Sequence, residues 1–129
     1  WIIGHLANQE QRYWLLFFGR EIIVPEVAAF GTGKPASTPP LDQVWQAWHT
    51  ITQATDPFLD SLTTDDLLSF LNRDGKPLDE NVGTLIHRVT YHYWYHTGES
   101  QAIRQLLGHS DLPTFVGDLG EQAPYHPEA

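Results

Sequence analysis

The sequence predicts an all-α protein, a bundle of helices with one long crossover loop. Apolar residues recur at three- and four-residue steps in three separate stretches, the mark of helices with one buried face. Between the first two stretches, residues 20–40 hold Pro25, Gly31, Gly33, Pro35, Pro39 and Pro40, too punctuated for a long element. A structureless loop of that length is unusual inside a compact domain, but in a bundle it fits a long crossover or the wall of a pocket. With 129 residues the chain suits one domain, 1–129, with 109–129 an extended tail packing on the bundle.

The first helix is marked by Ile2, Leu6, Tyr13, Leu16 and Phe17 and is expected to end near Gly19. The second starts after Thr38, where Pro39 and Pro40 suit a first turn, and continues through Leu41, Val44, Trp48, Ile51, Thr55, Phe58 and Leu62. Pro57 predicts a kink or a fresh start near Asp56. Thr64, Asp65 and Asp66 open a short helical piece reaching Leu71, and Asn72-Arg73-Asp74-Gly75 reads as a turn. The last long helix runs from an N-cap at Asn81 to a stop at Gly108, with Leu85, Val89, His92, His96, Glu99, Ile103 and Leu106 along its seam. Gly98 weakens that run and predicts a bend. The tail has little periodicity, and Phe115, Val116 and Tyr125 are expected to strap it over the bundle.

Composition excludes several functions. Seven basic against 16 acidic side chains give a net charge of −9, which argues against nucleic acid or an anionic membrane surface as partner. No apolar run approaches the roughly 20 residues of a membrane span, and no leader is recognisable. With no cysteine, the protein has neither disulfides nor a thiol nucleophile of its own, and a cytoplasmic location is the default. The opening at Trp1, mid-element and without methionine anywhere, predicts that further chain precedes it. Aromatic residues in excess of one small core predict a homodimer.

His92 and His96 stand four apart on the predicted helix, so their rings project from one face about 5–6 Å apart at Cβ. That spacing suits two ligands to one metal ion, and equally two core histidines satisfied by hydrogen bonds. Glu99 extends the polar stripe by a turn. His5, near the apolar face of the first helix, is the residue that would complete a three-histidine set with open positions for water or substrate. His87, His49, His109 and His126 read as boundary or solvent residues. Tyr91, Tyr93, Trp94 and Tyr95 read as packing on all sides of the helix, and Arg12, Arg88 and Arg104 as surface or ion-pair residues. No phosphate loop, nucleophile elbow or HExxH pattern is present.

Gly4-His5-Leu6-Ala7 in an aromatic-rich helix, then Tyr91-His92-x3-His96-Thr97-Gly98-Glu99 and Ile103-Arg104-Gln105-Leu106-Leu107-Gly108, resemble the DinB-like superfamily. The resemblance covers the first twenty residues and 82–108, with the middle matching by helix pattern. It implies a four-helix bundle with a long crossover, the helix that usually precedes the G-H-L-A helix lying ahead of Trp1 or supplied by another chain. It also implies a metal triad at His5, His92 and His96. Characterised relatives activate a low-molecular-weight thiol at a divalent metal. The resemblance therefore implies a metal-dependent enzyme, with Zn²⁺ or Ni²⁺ as cofactor and a thiol as cosubstrate attacking a small electrophilic substrate. Glu99, where many relatives have glutamine, is expected to act as base or to orient a ligand water. Metal-dependent hydrolysis with the same triad, and a non-enzymatic metal-binding bundle acting through protein contacts, are the alternatives.

Overall fold

A computed structural model describes residues 1–73, 76–114 and 117–127, apart from the side chain of Arg73. The chain is 62% helix and 7% strand, which makes it all-α as the periodicity predicts. It divides into two compact units, Trp1–Trp94 and Tyr95–Ala129.

In the first unit, α1 (Ile2–Trp14) stops earlier than expected; a 3₁₀ turn over Leu16–Phe18 follows, and Gly19 ends it at φ 66°. The buried stripe of α1 also differs from the apolar one. Gly4, His5, Ala7, Asn8, Glu10, Gln11 and Trp14 are buried, whereas Leu16 is 49% exposed. Burial follows partners here, because Gln11 is spent on tying down the crossover. Its amide accepts from Ile23 N at 3.0 Å and Val24 N at 2.8 Å and donates to the Val24 carbonyl at 3.0 Å. The crossover contains a 3₁₀ segment, Pro25–Phe30, which drops Val27 into a core with Ala7 and Ile51.

Helix α2 (Leu41–Asp60) is one element that continues through Pro57 to its last turn, so no fresh start occurs at Asp56. It packs against α1, burying Val44, Ile51 and Thr55. The next piece, α3 (Thr64–Leu68), is shorter than expected. Thr63 caps it in a reciprocal box with Asp66, whose carboxyl the Thr63 hydroxyl and N–H hold below the usual range. Past Leu68 the chain turns to sheet: β1 (Phe70–Arg73) pairs antiparallel with β2 (Lys76–Asn81). The expected Asp74-Gly75 turn lies outside the described residues. Leu71 joins Trp14, Val82, Leu85 and Val89 in a second core.

Helix α4 (Val82–Leu106) begins where Asn81 predicts, its side-chain oxygen accepting from Thr84 N at 2.8 Å. The helix runs through Gly98 without interruption. In the second unit, α4 ends at Gly108 with φ 72°, His109 N reaching back to the Arg104 carbonyl. The seam fades along this part: Glu99 is 44%, Ile103 44% and Leu106 87% exposed. A short α5 (Leu119–Gln122) is capped by Asp118. Phe115 and Val116 lie outside the described residues, and Tyr125 is 90% exposed. Among the described residues no helix is long and apolar enough to cross a membrane.

Candidate metal centre

His5 is set by the crossover. A Cβ built on Gly4 would fall 2.4 Å from the Phe30 ring, so the bare glycine lets that ring lie on α1. Phe30 then presents its carbonyl to His5 Nδ1 at 2.8 Å. A carbonyl only accepts, so the proton sits on Nδ1 and the Nε2 lone pair is left for the interior. Trp1 stacks on the imidazole, centroids 4.6 Å apart and planes at 13°. Its indole N–H is buried with no hydrogen-bond partner among the described residues, which leaves a donor beside His5 for a further group.

His92 meets His5 across the helices, Nε2 to Nε2 at 3.2 Å. Two nitrogens each about 2.0–2.1 Å from one tetrahedral ion stand about 3.3 Å apart, so this approach is of coordination length. His96 follows one turn along the continuous α4. The ligand atoms of His5, His92 and His96 all lie within 4.8 Å of one another, with His5 and His96 buried and His92 half-buried. His96 repeats the tautomer device of His5: Nδ1 lies 2.7 Å from Glu99 Oε2, a carboxylate that holds the Nδ1 proton and so directs the ring's lone pair to Nε2. Three imidazoles, two of them with Nδ1 engaged, fit a divalent transition-metal ion by donor type.

A family model of the DinB superfamily matches residues 1–100. The chain belongs to the DinB superfamily. Neither a search of curated proteins nor one of solved structures gave a match. Of the motif residues on which the sequence resembles this superfamily, His5, His92 and His96 are the ones whose ligand atoms come together.

Beside His92 a cavity of about 480 Å³ opens, lined by Gln9, Tyr13, Thr84, His87, Arg88 and Tyr91. Arg88 is engaged by Glu80, as an ion-pair residue should be. The remaining histidines are not part of the triad: His87 lines this cavity and stacks on Tyr91, His49 stacks on Trp45, and His109 and His126 are exposed. The aromatic residues flanking the triad are not buried all round, since Tyr91 is 68% and Tyr95 67% exposed. Tyr93 is the inward one. Burial pushes its phenol well above the usual range and the neighbouring Glu10 adds to this, so it serves as a neutral donor.

Sequence reasoning did not find the Phe30 carbonyl, the Gln11 staple or Trp1. The available signal was Gly4 itself, a helix-weakening residue beside a histidine, and Gln11 on the face that packs.

Proposed function

We propose that this DinB-superfamily chain is a metal-dependent enzyme that transfers a small thiol to a small electrophilic substrate. The observation that carries the reading is that ligand atoms of His5, His92 and His96 lie within 4.8 Å of one another, with Nδ1 of His5 and of His96 engaged by Phe30 and Glu99. These three residues would hold one divalent ion, Zn²⁺ or Ni²⁺. A bound ion supplies positive charge that favours loss of a proton from a thiol and so raises its nucleophilicity. Glu99 keeps His96 oriented and, as an anion on its far nitrogen, strengthens it as a donor. The cavity beside His92 offers room for a small substrate. The protein carries no cysteine, so the reacting sulfur must be brought by a cosubstrate.

Elemental analysis of protein purified without added metal tests the centre, and transfer of common cellular thiols to a model aryl halide tests the reaction. About one ion per chain, lost in His92→Ala together with thiol transfer, is the expected result. Retention of metal by His92→Ala overturns the centre. Absence of metal-dependent turnover with any such thiol overturns the chemistry alone.

A further inference from the structure

One buried acid takes no part in the histidine centre. Glu10, on α1, is 6% exposed, and its carboxylate is hydrogen-bonded by the Tyr93 hydroxyl and the Trp14 indole. Trp48 Nε1 donates to the same Tyr93 oxygen at 2.7 Å, so α1, α2 and the first unit's part of α4 are tied through the Tyr93 hydroxyl. Two donors occupy about half of the lone-pair positions that a carboxylate offers. Among the described residues no Lys, Arg or His is paired with Glu10. The charge that does act on it belongs to another acid, Asp56 of α2. Burial pushes the Glu10 carboxyl above its ordinary range, and Asp56 pushes the same way against the two hydrogen bonds.

This carboxylate borders a cavity of about 430 Å³, walled by Trp14, Leu59, Leu62, Ile86, Val89 and Tyr93. The volume falls in the roughly 300–1,000 Å³ range of small-molecule sites, and the wall is apolar apart from a few polar groups. An acid without a counter-charge at the edge of an apolar chamber is costly to keep ionised. Of the possible occupants, an anion is repelled by Glu10 and Asp56, and a neutral apolar molecule leaves the charge uncompensated. A bare metal ion finds one carboxylate and a neutral phenol, far short of the about six to eight oxygens that calcium takes.

We propose that this cavity is a second small-molecule site, which takes an organic ammonium with a short apolar or aryl body. Its N–H groups donate to Glu10, the Trp14 and Tyr93 rings face the cation, and Leu59, Leu62 and Ile86 hold the body. The site shares no residue with the histidine triad, so it stands whether or not that triad holds metal.

Calorimetric titration of the whole chain with 2-phenylethylammonium, 2-phenylethanol and 3-phenylpropionate tests this, with and without a chelator. The ammonium should bind about tenfold or more tightly than the alcohol, with no binding of the carboxylate and no effect of the chelator. Glu10→Gln, which keeps an oxygen for Tyr93 and Trp14, should lower the ammonium to the level of the alcohol. Leu62→Trp, which leaves Glu10 in place and fills the chamber, should remove both and serves also if Glu10→Gln fails to fold. Equal affinity for ammonium and alcohol, no binding of the ammonium, or undiminished ammonium binding by either variant overturns the proposal.

Discussion

Gly4→Ala is the most informative single change to the metal centre. The added methyl would stand 2.4 Å from Cδ2, 2.7 Å from Cγ and 2.8 Å from Cε2 of Phe30. Carbon atoms sit comfortably at about 3.5–4.0 Å, so the overlap is roughly 1 Å. Because Cγ is bonded directly to Cβ, spinning the ring cannot relieve the clash, and the Phe30 backbone must retreat. That backbone carries the carbonyl that holds His5 Nδ1 at 2.8 Å. Two stability effects oppose one another: alanine is the better helix former by about 1 kcal/mol, and overpacking costs about 1–3 kcal/mol. The net loss of stability is therefore small, about 0–2 kcal/mol. Metal affinity should fall much further, by about 10–100-fold, the usual consequence of losing a partner on a ligand's far nitrogen. Urea titration measures the first quantity, and competition with a chromophoric zinc chelator the second. Adding Phe30→Ala to Gly4→Ala removes the ring while keeping the carbonyl and should restore affinity. Wild-type zinc affinity in the single variant refutes the reasoning.

Three further outcomes follow from the same contacts. Gln11→Ala strips the crossover of its anchor and leaves the Ile23 and Val24 backbone groups without their partner, at a cost of about 2–4 kcal/mol in urea titration and with faster amide exchange at Ile23 and Val24. Glu99→Gln keeps an oxygen on His96 Nδ1 but removes its charge, so zinc affinity should drop about tenfold with unchanged helix content by circular dichroism. Glu10, raised in the folded chain above its usual 4.5, binds more protons folded than unfolded between that value and its raised one. Stability must then fall as pH rises through this window, and Glu10→Gln should flatten the slope in urea titrations at stepped pH.

Two members of the triad were legible because they need only local geometry. Four residues along one helix place His92 and His96 together whatever surrounds them, and the resemblance around Gly4-His5 supplied the third. The hairpin was not legible: Phe70–Arg73 and Lys76–Asn81 contain Asn72, Lys76, Pro77, Asp79 and Asn81, a composition that tertiary context alone turns into strand. The apolar pattern also misjudged burial on α1. It gave weight to Leu16, which is half exposed, and none to Glu10 and Gln11, which are buried because each has found partners in another part of the chain. At the far end of α4 the periodic signal continued through Ile103 and Leu106 although both side chains are exposed. A helix keeps its period whether or not anything covers it.

The crossover belongs to the metal centre as much as the helices do. A histidine on an isolated helix samples several rotamers and both tautomers, and ordering it on binding costs affinity. Here the order is built beforehand: Gln11 fixes the backbone at 23–24, Val27 is sunk in the core with Ala7 and Ile51, and Phe30 closes over Gly4 to reach His5. On α4 a single local contact, Glu99 to His96, does the same for one ligand without any loop. The two devices fail differently. Weakening Gln11 should disturb His5 alone and do so through loop order, whereas Glu99→Gln should act on His96 with the crossover intact. Combining the two changes should therefore lower zinc affinity by close to the product of their separate factors, since no described contact joins Gln11 to Glu99. A combined loss no greater than the larger single one would mean that the three imidazoles are ordered as one unit, and the separate roles of loop and carboxylate would have to be abandoned.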